Sequence, residues 1–82
     1  MATFWRLPTV QAETGKGRST IYEDISKGLM VKPVKLGARA IGFPADEVRA
    51  INAARISGAN EDDIRELVRK LCEARSSQRV AA

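Results

Sequence analysis

The sequence predicts a mostly α-helical domain that carries one two-stranded β-hairpin and continues into further C-terminal helices. Apolar residues recur at helical spacing in several segments, and glycines and prolines separate these segments. Between them, residues 33–43 alternate between apolar and polar side chains, which is the period of a half-buried strand. A chain of 82 residues has room for one domain with a modest core, which we expect to span residues 1–75.

A first short helix is predicted from about Pro8 to Thr14. Proline suits the first helical turn, because the N–H that it lacks would have no partner there. Gly15 is expected to end the helix in the left-handed conformation. We expect Val10 and Ala12 to face inward.

A second helix is predicted from about Arg18 to Lys27, with Gly17 or Ser19 as its N-cap. One apolar residue per turn predicts its buried side, at Ile21, Ile25 and Leu29. Two short helices joined by a tight turn that contains glycine are typical of a helix-turn-helix.

Residues 33–43 are predicted to form a β-hairpin that turns at residues 37–39. We expect the apolar residues of both strands to share the face that packs on the core: Val34, Leu36, Ile41 and Phe43. Lys35 and Arg39 are then expected on the outer face and at the tip. A two-stranded ribbon is marginal by itself, so it must pack on the helices as a wing. The predicted architecture is therefore a winged helix-turn-helix.

Two more helices are predicted beyond the hairpin. The third runs from Ala45 to about Ser57, with Val48 and Ile51 facing inward. The fourth begins after Asn60 as N-cap and extends to about residue 75. Its apolar residues lie at i, i+3, i+4, i+7 and i+8: Ile64, Leu67, Val68, Leu71 and Cys72. Residues 76–82 lack this period and are predicted to form a flexible tail.

The positive charge is confined to one half of the chain. The net charge is +4, and residues 1–43 account for all of it with seven basic and three acidic residues. This asymmetry indicates one half that faces a polyanion and one that is structural. Because no signal peptide or membrane-spanning segment is visible, we expect a cytoplasmic protein that does not contact a membrane.

Catalysis has little support in the sequence. The chain has no histidine, so it lacks the commonest general base and the commonest zinc ligand. Cys72 lies in the apolar stripe of the fourth helix, and the acids 61–63 suit the first turn of a helix. We therefore expect no enzymatic activity, no metal and no cofactor.

Basic and hydroxyl side chains cluster at the start of the second helix, at Lys16, Arg18, Ser19 and Thr20. In a helix-turn-helix this end of the helix reaches deepest into the major groove. Arginine can donate two hydrogen bonds to guanine O6 and N7, and hydroxyls can bind phosphate. Tyr22 either contacts the DNA or is partly buried under the wing. Glu23 either accepts a hydrogen bond from cytosine N4 or stays solvated.

Further cations are expected to contact the DNA backbone or minor groove, with Arg39 best placed at the tip of the wing. The predicted DNA-binding residues are Lys16, Arg18, Ser19, Thr20, Tyr22, Lys27, Lys35 and Arg39.

Several short motifs follow one another along the first two thirds of the chain. They are Arg6-Leu7-Pro8, Thr14-Gly15, Arg18-Ser19-Thr20-Ile21-Tyr22, Gly28, and Lys32-Pro33-Val34-Lys35-Leu36-Gly37 with Arg39 and Gly42. In this order they resemble the AlpA-type prophage regulators, which are excisionase-like, MerR-related winged helix-turn-helix proteins. The resemblance covers about Trp5 to Arg55. It implies DNA binding that regulates an integrase or related genes, or that directs excision.

The resulting hypothesis is a sequence-specific double-stranded DNA-binding protein that regulates transcription of prophage or mobile-element genes. The first alternative is an excisionase, a recombination directionality factor that binds and bends attachment-site DNA, since both functions need the same helix and wing. The second is a protein-interaction module whose C-terminal helix docks a partner such as an integrase or a polymerase, and the same helix is also a candidate surface for association with a second copy of the chain. The fourth helix either completes the core or forms such an interface.

Overall fold

Four helices and three short strands make up the described part of the chain, residues 3–81, in a computed structural model that describes side chains for residues 3–75. In chain order they are β1 (Phe4–Trp5), α1 (Leu7–Thr14), α2 (Arg18–Ser26), β2 (Val34–Lys35), β3 (Ile41–Pro44), α3 (Ala45–Ile56) and α4 (Glu61–Ala81). The predicted winged helix-turn-helix, mostly α-helical with a hairpin and additional C-terminal helices, is confirmed.

The sheet has three antiparallel strands in the order β1-β3-β2, rather than the predicted two. The additional strand is β1, in which Phe4 pairs with Pro44 and Trp5 with Phe43. The amide N–H of Ala45 also donates to the carbonyl of Thr3 at 2.8 Å. A strand of two residues is too short to show an alternating pattern, so β1 could not be predicted from the sequence.

The hairpin and its turn at residues 37–39 form where they were predicted. Lys35 pairs with Ile41 and Val34 with Gly42, and a hydrogen bond of 2.8 Å joins the Leu36 N–H to the Ala40 carbonyl. A turn of three residues between Leu36 and Ala40 sets this register. As a result, Val34 and Leu36 lie on one face of the sheet, and Ile41 and Phe43 lie on the other.

The expectation that all four apolar residues share one face is therefore wrong. Phe43 is fully buried, whereas Leu36 is 43% exposed on the opposite face. Leu36 instead covers Gly42, where a Cβ atom would come within 2.7 Å of the Leu36 Cδ1 atom.

The two amino-terminal helices meet at the predicted glycines. Gly15 ends α1 with a φ of 73°, a conformation that side chains other than glycine rarely adopt. Gly17, in extended conformation, is the N-cap of α2, and no side chain caps the helix. Val10 is buried in α1 as expected, but Ala12 is exposed and its predicted inward position is wrong. In this short helix Val10 alone is fully buried.

The core draws on α1, α2, the hairpin, α3 and α4. Its buried residues are Val10, Ile21, Leu29, Met30, Val31, Phe43, Val48, Ile51, Ile64 and Val68. Ile21 is fully buried and fixes the rotation of α2 about its axis. The opposite side of α2 therefore faces solvent.

Helix α4 begins with the predicted cap and packs on this core. The Asn60 side-chain oxygen accepts a hydrogen bond from the Asp63 N–H at 2.8 Å, and the Asp63 carboxylate accepts one from the Asn60 N–H at 3.2 Å. Ile64 and Val68 are buried, at 1% and 8% exposure. The backbone stays helical to Ala81. The predicted flexible tail comprises residues 76–82. The side chains of these residues and the backbone of Ala82 lie outside the described part of the chain.

Candidate nucleic-acid interface

The first turn of α2 is open to solvent. Arg18, Ser19 and Thr20 are all exposed. The N-cap residue Gly17 has no side chain that could bond the free N–H groups of this turn. A helix start with unbonded N–H groups attracts anions, because those groups carry the positive end of the helix dipole.

Tyr22 lies one turn further along the exposed side of α2. Tyr22 is 38% exposed, so its ring is accessible from solvent, and its expected contact with DNA stays a prediction. The Arg18 guanidinium carbon lies 5.9 Å from the centre of the Tyr22 ring, at the outer limit of a cation–π contact. The two side chains therefore lie side by side on the solvent-facing surface.

Lys27, at the end of α2, pairs with Glu23 on the same exposed side. The Lys27 ammonium lies 2.7 Å from the Glu23 carboxylate, and both side chains are more than half exposed. The hydrogen bond to Glu23 raises the pKa of the Lys27 ammonium, with a smaller contribution from the negative charge of the same residue. This ion pair is solvated, so it can break at little cost in free energy, and each side chain can then bind another partner.

The hairpin presents two further predicted site residues. Lys35 of β2 and Arg39 in the turn are both exposed, and neither side chain forms an ion pair among residues 3–75. Lys35 lies on the same face of the sheet as Ile41 and the buried Phe43, as the register requires. The expectation that Lys35 lies on the face away from the core is therefore wrong.

Comparison with known proteins identifies the family. The family model described as "Prophage CP4-57 regulatory protein (AlpA)" matches residues 3–55, which is more than half of the chain. The chain belongs to the AlpA family of prophage regulatory proteins. The resemblance inferred from the sequence motifs is thereby confirmed, and the AlpA match contains β1, both amino-terminal helices, the hairpin and α3.

A curated relative extends this result. The chain is 44% identical over 55 residues to the uncharacterized protein ORF88 of Enterobacteria phage P4. The alignment covers 67% of this chain and 62% of that protein, so the chain spans less than two thirds of its relative's length. No solved structure matches the chain. The AlpA match ends before α4, although α4 supplies two residues of the core.

Among the predicted site residues of this AlpA-family chain, Lys16 alone is paired with a buried acidic side chain. Its ammonium forms an ion pair with the carboxylate of Asp24, and the side chains are 26% and 10% exposed. Lys16 lies in the turn between α1 and α2, and Asp24 lies on α2. The ion pair therefore joins the turn to the helix that follows it.

Asp24 was not among the predicted site residues, although one signal in the sequence pointed to it. Asp24 follows the buried Ile21 by three residues and precedes the half-buried Ile25, so helical spacing places it on the inner side of α2. An acid at such a position needs a cation nearby, and Lys16 is that cation.

Within residues 3–75, no three or more His, Cys, Asp or Glu side chains are grouped so that they could hold a metal ion. None of the helices found in residues 3–81 combines the length and the apolar character needed to cross a membrane.

Proposed function

We propose that the chain binds double-stranded DNA sequence-specifically and regulates transcription of prophage or mobile-element genes. The observation that carries this proposal is the exposed first turn of α2, which presents Arg18, Ser19 and Thr20 beside free backbone N–H groups. Membership of a prophage regulatory family supports it. In this proposal α2 enters the major groove and the chain acts in the bacterial cytoplasm, at the nucleoid.

Each element of the proposed interface has a distinct role. Arg18 reads a base edge through two hydrogen bonds, because its guanidinium is exposed and paired with no acid among residues 3–75. Ser19, Thr20 and the helix start bind phosphate. Tyr22 packs against a sugar or a thymine methyl group, and its ring helps to orient Arg18.

The remaining cations contribute charge rather than base recognition. Lys27 exchanges its solvated pairing with Glu23 for a phosphate, and Lys35 and Arg39 place the hairpin against the backbone or the minor groove. Such contacts strengthen binding to any sequence and make it sensitive to salt. Lys16 stands apart, because Asp24 already neutralises its charge.

Helix α4 has a structural role in this proposal and does not contact the DNA. Ile64 and Val68 are buried in the chain's own core, which favours a structural role for α4 over a docking surface that depends on these residues. Self-association or contact with an integrase would have to use the parts of α4 that remain accessible.

The proposal is tested by selecting binding sites from a pool of random duplexes with the purified chain and measuring affinity by fluorescence anisotropy. We expect one enriched motif, bound much more tightly than random DNA at about 0.15 M salt. An enriched motif combined with a strong bend in a circular-permutation assay would favour the excisionase alternative. Enrichment of no sequence would contradict the proposal.

A further inference from the structure

Among residues 3–75, Asp24 is the only charged residue that is buried, with 7% of its surface exposed. It points from α2 towards the turn, beside the core residue Ile21. A buried carboxylate is tolerated only when a counter-charge neutralises it, because burial removes its hydration. Lys16 supplies that counter-charge through an ion pair that is also a hydrogen bond.

The turn that carries Lys16 is held at its ends by backbone hydrogen bonds, the first from the Gly15 N–H to the Gln11 carbonyl at 2.9 Å. Lys16 stands between Gly15 and Gly17, and a Cβ atom built at either glycine would meet no other atom within 4 Å. The backbone of this turn is therefore not held by packing at its flanking positions. Gly17 in turn accepts the first hydrogen bond of α2, from the Ile21 N–H at 3.0 Å.

We propose that Lys16 is a positioning residue for DNA recognition and not a phosphate contact. This inference rests on the proposed DNA-binding function. Its ion pair with Asp24 fixes the turn, and through Gly17 it fixes the direction of the first turn of α2. The base-reading geometry of Arg18 and Ser19 therefore depends on two side chains that touch no DNA.

The competing role for Lys16 is a direct phosphate contact. To reach a phosphate, the ammonium would have to leave Asp24, and a buried carboxylate would then remain without a counter-charge. The loss of that pair opposes the gain of one phosphate contact at the protein surface. Lys27 and Lys35, which are exposed, have no such penalty.

The test compares Lys16→Met and Asp24→Asn with the control Lys70→Met, which removes an exposed charge from α4. We expect both turn variants to lower the ratio of cognate to random-DNA affinity about tenfold, the scale of a coupled pair of side chains. The log–log salt slope of Lys16→Met should equal that of the wild type. A slope flatter by about 0.9, with equal losses on both DNAs, would identify Lys16 as a phosphate contact. An unchanged ratio would also overturn the proposal.

Two further measurements complete the test. The first separates a loss of positioning from a loss of folding, and the second tests positioning without DNA. The double variant Lys16→Met/Asp24→Asn leaves no unpaired buried charge, and we expect it to retain native circular dichroism with the same loss of discrimination. In the free protein, Lys16→Met should accelerate hydrogen exchange at the Ile21 amide. Unchanged exchange there would refute the positioning role even if the chain bound no DNA. A wild type that binds no DNA but shows faster exchange in the variant would refute only the proposed function.

Discussion

The guanidinium of Arg75 is hydrogen-bonded to the carboxylate of Glu47, with 3.0 Å between Nε and Oε2. It also donates to the backbone carbonyl of Lys32 at 2.8 Å. One side chain of α4 is thus hydrogen-bonded both to α3 and to the segment that leads into the hairpin. The hydrogen bond to Glu47 raises the pKa of the Arg75 guanidinium, so this side chain stays charged at all ordinary pH values.

Arg75→Ala should lower the free energy of unfolding by about 1–3 kcal/mol, between the values for exposed and for buried ion pairs. The reason is that Glu47, whose side chain is only 13% exposed, would lose its cation. Urea denaturation followed by circular dichroism measures this change. The matched control is Arg69→Ala, which breaks ion pairs with side chains that are more than half exposed. Equal effects of the two substitutions would show that the Arg75 pair has no special role.

Ile64→Ala should destabilise the chain by about 2–4 kcal/mol, because it removes a buried side chain and leaves a cavity. Ile64 is 1% exposed in the core although it lies outside the AlpA match. Truncation after Gly58 should accordingly give a chain that shows no cooperative unfolding transition on heating. A truncated chain that melts cooperatively and binds DNA would instead identify α4 as a docking helix.

Gly42→Ala should destabilise the hairpin by about 1–3 kcal/mol, the usual cost of forcing an extra methyl group into a packed site. The new Cβ would lie 2.7 Å from Leu36 Cδ1 and 3.0 Å from Phe4 Cβ. Gly37→Ala is the control in the same hairpin, since a Cβ there meets nothing within 4 Å. Thermal melting of the two variants should differ clearly, and equal melting temperatures would contradict this account of Gly42.

Much of the fold could be predicted because the signals are local. The spacing of Ile21 and Ile25 oriented α2, and Asn60 marked the start of α4 correctly. The faces of the hairpin were predicted wrongly although its turn was predicted correctly, because a turn of three residues puts Leu36 opposite Ala40 and therefore on the face away from Phe43. The sequence suggested inward-facing apolar residues on both strands but not which face each would take.

The candidate site was predictable to the same extent. Arg18 was predicted to be exposed, but spacing alone does not explain this, because Arg18 precedes the buried Ile21 by three residues and so lies on the same side of α2. It is exposed because it is the first residue of the helix. The pairing of Lys16 with Asp24 was not predicted, because it depends on how a flexible glycine turn folds back on the helix. A count of cations gives Lys16 and Lys35 equal weight, whereas burial separates them.

Arg18→Ala should weaken binding to the selected DNA motif by about 10- to 100-fold, which corresponds to the loss of one bidentate base contact of about 1–3 kcal/mol. Binding to random DNA should weaken much less, because only one charge is removed. Competition gel shifts with the two DNAs measure this difference, and Lys70→Ala on α4 is the control. Equal losses on both DNAs would make Arg18 a phosphate contact.

Arg39→Ala should weaken binding to the selected motif and to random DNA by similar factors, because the turn of the hairpin is proposed to contact the DNA backbone. Four to six phosphate contacts predict a log–log salt slope of roughly −4 to −5 for the wild type, and the loss of one contact should flatten it by about 0.9. Anisotropy titrations between about 0.05 and 0.2 M salt resolve that change. Ala38→Ser, in the same exposed turn, alters the side chain without altering charge and should leave the slope unchanged. If Arg39→Ala also leaves affinity and slope unchanged, the hairpin tip does not contact DNA, and recognition rests on α2 alone.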